Sequence, residues 1–303
     1  MWVGWGVQDL AAFARVFGAE LVPVNSEGAV VQLYISQGRN PGQTPARGSD
    51  FWHSDNSYKS APASATVLYA LELPPPTPST PSSMKEEEES SSSGAPTTML
   101  TDASLAFDSL PCDMRARVEN LTGEHVSDHN AGAVGGGGGG GHGGEDESGR
   151  RLVAVHPVVR RHPETGRASL YVNPLYTKRL LGPNGEAIED GMELLAALFR
   201  HMLGPATATT GEEEEDEKAG RSGGGEATAT PWEEGGLYRS GEGAFGACFE
   251  WRQPGDLLIW DNARMLHRAT TLEGLARGSK RRMLRCNVKG VAPAGVFRQV
   301  IDK

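Results

Sequence analysis

The stretch "RRMLRCNVKG" (residues 281–290) decides the fold. Read as a strand, it places alternate residues on opposite faces. Arg281, Met283, Arg285 and Asn287 share one face, and Arg282, Leu284, Cys286 and Val288 share the other. The second face is mostly apolar and suits packing outward against a helix. Arg281 and Arg285 then point into the protein. Two inward guanidinium groups are costly unless anions meet them. The strand therefore predicts a barrel or sandwich whose interior holds either a bound dicarboxylate or an internal salt bridge.

Working outward, "GDLLIWDN" (255–262) and "SATVLYALEL" (64–73) read as strands. "RLVAVHPVV" and "ASLYVN" read as strands on either side of the turn "HPETGR" (162–167). Three helices are expected. "DLAAFARVFGAEL" (9–21) has Leu10, Phe13 and Phe17 at helical spacing and stops at Gly18. "TDASLAFDSLP" (101–111) sits behind a Thr/Asp cap and is stopped by Pro111, and "IEDGMELLAALFRHML" (188–203) is the third. Strands outnumber helices and follow no βαβ rhythm, so the chain reads as mainly β with flanking helices.

Forty glycines and nineteen prolines among 303 residues exceed what a packed domain uses. They concentrate in three tracts, 74–96, 127–149 and 205–231, each too poor in apolar side chains to offset the entropy of ordering. These read as disordered surface insertions. The net charge of −10 has the same origin, since "EEEE" (86–89) and "EEEEDE" (212–217) together supply ten acidic residues. No basic patch points to nucleic acid, and no run of eighteen apolar residues points to a membrane span. Three scattered cysteines, Cys112, Cys248 and Cys286, and a start without a signal-peptide pattern suggest a cytoplasmic, reducing compartment.

"FWHSDNSY" (51–58) also reads as a strand, which puts His53 and Asp55 on one face. Such a pair is either hydrogen-bonded for structure or two ligands of a metal. "ARMLHRAT" (263–270) adds His267 just beyond a strand. Two histidines and one carboxylate occupy one face of an octahedral metal and leave positions open, the arrangement that suits non-haem Fe(II) oxygenases. Such an iron needs a reducing co-substrate. The usual one, 2-oxoglutarate, has a far carboxylate that matches the fork of an inward arginine. The same three ligands also suit a zinc hydrolase, a reading that leaves Arg281 and Arg285 unexplained.

Four blocks resemble the taurine dioxygenase-like (TauD/TfdA) family of Fe(II)/2-oxoglutarate-dependent dioxygenases. They are "FWHSDNSYKSAPASATVLYALELPP", "TTMLTDASLAFDSLP", "HPVVRRHPETGRASLYVNPLYT" and "WRQPGDLLIWDNARMLHRATT…RRMLRCNVKG", in the family order. The resemblance implies a double-stranded β-helix (jelly-roll), a single domain over 1–303 carrying the three insertions, and Fe(II) and 2-oxoglutarate as cofactors. It implies His53, Asp55 and His267 as metal ligands, and Thr98, Arg281 and Arg285 as 2-oxoglutarate residues. Tyr58, Tyr176 and Arg285 fall where the family lines its substrate pocket.

The implied partners are O2 and a small anionic substrate, a sulfonate, sulfate ester or aryloxy or alkyl carboxylate, with homo-oligomer formation left open. Two departures stand out. "PTT" replaces the usual Gly-Asp-Thr run at Thr98. The family also carries several dozen residues ahead of the first helix, so the barrel is expected to be incomplete at its N-terminus. That expectation leaves a second reading, a degenerate oxygenase serving as an interaction module.

Overall fold

The computed structural model describes residues 4–25, 27–37, 51–74, 96–127, 151–204, 244–269 and 280–296, the side chains of 34–37 excepted. The expected insertions lie outside the described residues, apart from Pro74, Pro96 and Ser127 at their edges. In chain order the elements are α1 (Val7–Ala14) with a 3₁₀ turn (Arg15–Phe17), β1 (Val31–Gln37), β2 (Ala63–Glu72), β3 (Thr97–Asp102), α2 (Ala103–Asp108) and α3 (Cys112–Val118). Then come β4 (Thr122–Val126), β5 (Val153–Pro157), β6 (Val159–Arg161), β7 (Ala168–Leu170), β8 (Thr177–Leu181) and α4 (Gly191–Leu203). The chain continues through β9 (Gly246–Glu250), β10 (Leu257–Asp261), β11 (Met265–Ala269), β12 (Lys280–Lys289) and β13 (Ala294–Gly295).

β12 is central in an antiparallel sheet of order β1-β12-β2-β10, and a second sheet has the order β11-β3-β9. Its two faces divide as the alternation predicts. Leu284, Cys286 and Val288 pack outward with Val67 and Tyr69 against Leu10, Ala11 and Ala14 of α1. Met283 packs inward with Leu68, Ala70 and Trp260, meeting Leu100 and Trp251 beside the second sheet. That second sheet turns its other face, with Met99 and Leu266, towards Leu195, Phe199 and Met202 of α4. The result is a mainly β fold in which two sheets enclose a narrow interior and helices cover both outer faces.

Local chemistry sets the helix ends. The Asp9 carboxylate accepts from Gly6 N at 2.9 Å, closing the first turn of α1. The expected helix over 9–21 is shorter, because its last turn tightens to 3₁₀ before Gly18. Gly18 is required by proximity, since a Cβ there would lie 2.5 Å from Val288 Cγ1. The helix expected over 101–111 starts later, because Thr101 and Asp102 belong to β3. Asp102 ends the strand and caps α2, its Oδ1 accepting from Ser104 N (2.8 Å) and Leu105 N (3.3 Å).

Two strand expectations need correction. Residues 151–159 do not form one strand: β5 pairs with β4, which pairs in turn with β8, while β6 lies between β7 and β13, and Val158 N between β5 and β6 donates to Leu121 O at 2.9 Å. Residues 51–58 form a single bridge at His53 followed by a turn, with Asn56 in the left-handed region (φ 58°) and Lys59 N donating to Asn56 O at 2.8 Å. Asparagine tolerates that conformation because its short polar side chain bonds locally.

Candidate metal centre

β11 and the bridge at His53 bring the three expected ligands together. His53 N donates to His267 O at 3.0 Å and His267 N to His53 O at 2.9 Å, which sets the two imidazoles 4.2 Å apart. The turn after His53 carries Asp55 back beneath them. His53 Nε2 lies 3.7 Å from Asp55 Oδ1 and His267 Nε2 lies 3.8 Å from Asp55 Oδ2. These gaps are too long for hydrogen bonds, so the donors converge without satisfying one another. One ligating atom from each residue lies within 4.8 Å of the others, and all three residues are buried.

The protonation states suit a cation. A carbonyl oxygen only accepts, so Phe51 O at 2.6 Å holds a proton on His53 Nδ1 and turns Nε2 to the centre. Burial, and then the nearby His53, push the His267 imidazole down to about 3, so it stays neutral. Burial by itself would raise the Asp55 carboxyl, but Arg285, then His267 and His53, outweigh it and hold the group well below the usual carboxylate range. Two imidazoles whose Nε2 atoms face an ionised carboxylate form a donor set for a divalent metal.

Strand register explains what surrounds Asp55. Thr66 of β2 pairs with Trp260 of β10 and with Asn287 of β12, so these three inward side chains form one row across the sheet. The next inward row joins Gln32 of β1, Arg285 of β12 and Leu68 of β2. From the first row, the Thr66 hydroxyl reaches Asp55 Oδ2 at 2.6 Å. From the second, Arg285 Nη1 lies 3.4 Å from Asp55 Oδ1 while its Nη2 donates to Gln32 Oε1 at 3.0 Å. One of the two inward arginines thus makes an internal ion pair. Arg281 lies beyond Met283 on the same face and is buried.

Of the other expected site residues, Thr98 is buried on β3, its hydroxyl accepting from Trp251 Nε1 at 2.9 Å. Tyr58 and Tyr176 meet edge to face with centroids 5.0 Å apart, and Tyr176 also stands edge to face with His53 at 6.1 Å. Both tyrosines therefore sit beside the centre. Sequence reasoning missed the supports beneath it. His156 Nε2 donates to Ser57 O (2.9 Å) and Lys59 O (3.0 Å). His125 Nδ1 lies 3.1 Å from Ser57 Oγ, and Asn173 Nδ2 donates to the same hydroxyl at 3.1 Å. Asn173 Oδ1 also accepts from Tyr176 N at 2.8 Å, so one amide ties the Tyr176 turn to the Asp55 turn. The signal available in the sequence was the polar residue in an apolar run, as at His156 within "RLVAVHPVV"; His125, among polar neighbours, carried none.

A pentalenolactone F synthase of Streptomyces avermitilis is 28% identical over 212 residues, covering 63% of this chain and 61% of that one. An alpha-ketoglutarate-dependent 2,4-dichlorophenoxyacetate dioxygenase of Burkholderia sp. is 24% identical over 234 residues, covering 77% of this chain and 57% of that one. The chain thus spans about three fifths of the length of these relatives. The crystal structure of a taurine dioxygenase from Burkholderia xenovorans superposes with a TM-score of 0.58 at 22% identity, over 96% of this chain and 75% of that one, which shows a shared fold. The sequence profile of the family described as taurine catabolism dioxygenase TauD, TfdA family matches residues 3–209 and 244–287. With most of the chain matched, this protein belongs to the TauD/TfdA family.

Proposed function

We propose that the protein is an Fe(II)- and 2-oxoglutarate-dependent dioxygenase acting on a small anionic organic substrate. The observation that carries this reading is the convergence of His53, Asp55 and His267, all buried, with the Asp55 carboxyl held low and the His267 imidazole pushed down to about 3. Those three residues would hold the iron. Arg281, inward and buried on β12, and Thr98 on the facing sheet would hold 2-oxoglutarate. Tyr58 and Tyr176 would present ring edges and faces to the substrate beside His53, with Arg285 offering charge near the same place. When bound, iron and 2-oxoglutarate supply the oxidation, consuming O2 and releasing succinate and CO2 as the substrate gains an oxygen atom.

The chain's own contribution is position and charge. His53 and Asp55 are set by one turn and His267 by the bridge, while the aromatic and apolar walls exclude water. The two sheets would form a double-stranded β-helix within a single domain, interrupted by the three tracts at 74–96, 127–149 and 205–231. The Burkholderia relative takes its name from an aryloxyacetate, a ligand class that would match an aromatic wall next to a guanidinium. A cytoplasmic location fits the three free cysteines.

The test is anaerobic addition of Fe(II) and 2-oxoglutarate to purified protein, watching for the visible charge-transfer band of the chelate. The expected result is a band in the wild type that Arg281→Ala and His267→Ala both remove. Folded protein that gives no band with metal present would overturn the reading and favour a degenerate member of the family. Succinate release during a screen of aryloxyacetates, sulfonates and sulfate esters then identifies the substrate class.

A further inference from the structure

We propose that Thr66, oriented by Asn262, is a positioning residue that fixes the Asp55 carboxylate for metal binding. This rests on the reading of His53, Asp55 and His267 as metal ligands. It assigns a role to side chains outside that set.

The Asn262 amide can take only one orientation. Asn262 follows β10, and its Oδ1 faces two groups that can only donate: Trp260 Nε1 at 3.1 Å and Asp55 N at 3.4 Å. That end of the amide is therefore the oxygen, and the other end is the NH2 group. The NH2 group donates to Thr66 Oγ1 at 2.6 Å. A hydroxyl has a single proton, and with Asn262 supplying a donor, Thr66 must give its own proton away. Two acceptors are in reach, Asp55 Oδ2 at 2.6 Å and Asn287 Oδ1 at 3.1 Å. The ionised, nearer oxygen takes it.

The donors therefore run in one direction, from Trp260 through Asn262 and Thr66 to Asp55. Every member is buried, so water does not compete: Thr66 is 0% and Asn262 1% exposed. An aspartate held only at Cβ turns broadly about its last torsion. Here Thr66 pins one oxygen while Arg285 approaches the other. The carboxylate plane is thus set before any metal arrives. Groups that orient a ligating side chain typically change metal affinity by about 10–100-fold when removed.

The experiment measures Mn(II) affinity of the metal-free protein, by the EPR signal of unbound Mn(II), without co-substrate or turnover. Thr66→Val keeps the shape and removes the hydroxyl, Thr66→Ser keeps the hydroxyl, and His267→Ala is the control for the centre itself. The expected result is tight binding by the wild type, loss in His267→Ala, roughly 10–100-fold weaker binding in Thr66→Val, and recovery to within about threefold in Thr66→Ser. A purely structural Thr66 would lower the melting temperature of Thr66→Val and leave Mn(II) affinity within about twofold, which overturns the proposal while the metal centre stands. Should Thr66→Val fail to fold, Thr66→Ala takes its place and is read against Thr66→Ser, since both lack the γ-methyl and only Ala lacks the hydroxyl. Weaker binding in Thr66→Ala than in Thr66→Ser supports the proposal and equal binding overturns it. Wild-type protein that binds no Mn(II) removes the centre and this inference together, a result distinct from the others.

Discussion

His53 and His267 exchange both backbone hydrogen bonds, at 3.0 and 2.9 Å, although they come from opposite ends of the chain. The pairing of the two imidazoles is thus made by main chain. Removing a ring deletes a ligand without unpairing the segments that carry it. His267→Ala should accordingly fold. In thermal denaturation the wild type gains stability from Mn(II), about 2.7 kcal/mol at a hundredfold excess over Kd, and the variant gains none. An equal gain in both would place the metal elsewhere.

Arg285 is the largest of the charges that offset the burial of Asp55. A carboxyl depressed in the folded state contributes stability above its unfolded pKa, and that contribution is lost as pH falls through the folded value. Arg285→Met should therefore cost roughly 2 kcal/mol at pH 7 in the metal-free protein, by urea unfolding. The deficit should shrink below about pH 4, where unfolded aspartate takes up its proton. A deficit that does not change with pH would mean that packing, not charge, is what was lost.

Beneath the centre, burial and then the neighbouring His156 push the His125 imidazole down to about 3. Unfolded histidine takes up a proton near pH 6.5 while this one does not, so stability is full above that value and falls as pH drops towards the folded value. The expected loss is roughly 1.4 kcal/mol per pH unit from this group. His125→Asn, which keeps a polar group near Ser57, should flatten the dependence between about pH 6.5 and 5. Parallel wild-type and variant curves across that window would show that His125 does not set it.

Two glycines test the packing of β12. A Cβ at Gly290 would lie 2.4 Å from Pro62 O and 3.0 Å from Ser64 N, both main-chain atoms. A Cβ at Gly18 would meet a side chain, Val288 Cγ1, at 2.5 Å. Overpacking typically costs about 1–3 kcal/mol, and backbone yields less than a side chain. Gly290→Ala should sit at the upper end of that range and Gly18→Ala below it, measured by denaturant midpoint. The reverse order would show that the 62–64 segment gives way.

The faces of β12 were legible because alternation is a local property, and its irregularity at Arg282/Met283 is taken up by the partner strand, where Glu72 and Ala70 flank a skipped Leu71. The metal-ligand candidates were legible because residue type restricts ligation so strongly. The strand reading of 51–58 failed because the alternation there is real but the backbone is governed by a left-handed Asn56 and a single bridge to a distant histidine. Thr66, Asn262 and Asn287 were beyond reach for a related reason. Each is an ordinary polar residue until strand register lines it up with the others, and register joins segments that share no local signal. Asp102 shows the intermediate case: the cap was visible, but the strand running up to it was not.

The position of β12 between β1 and β2 also constrains how the chain is made. β1 and β2 are made long before β12, and until it arrives both present open edges of the kind that recruit other chains. On the ribosome, this sheet cannot close until synthesis has passed β12 (Lys280–Lys289), and such long-range pairing is slow. A product terminated before residue 280 would lose the shared neighbour of both strands, and aggregation rather than a smaller stable domain is its expected fate.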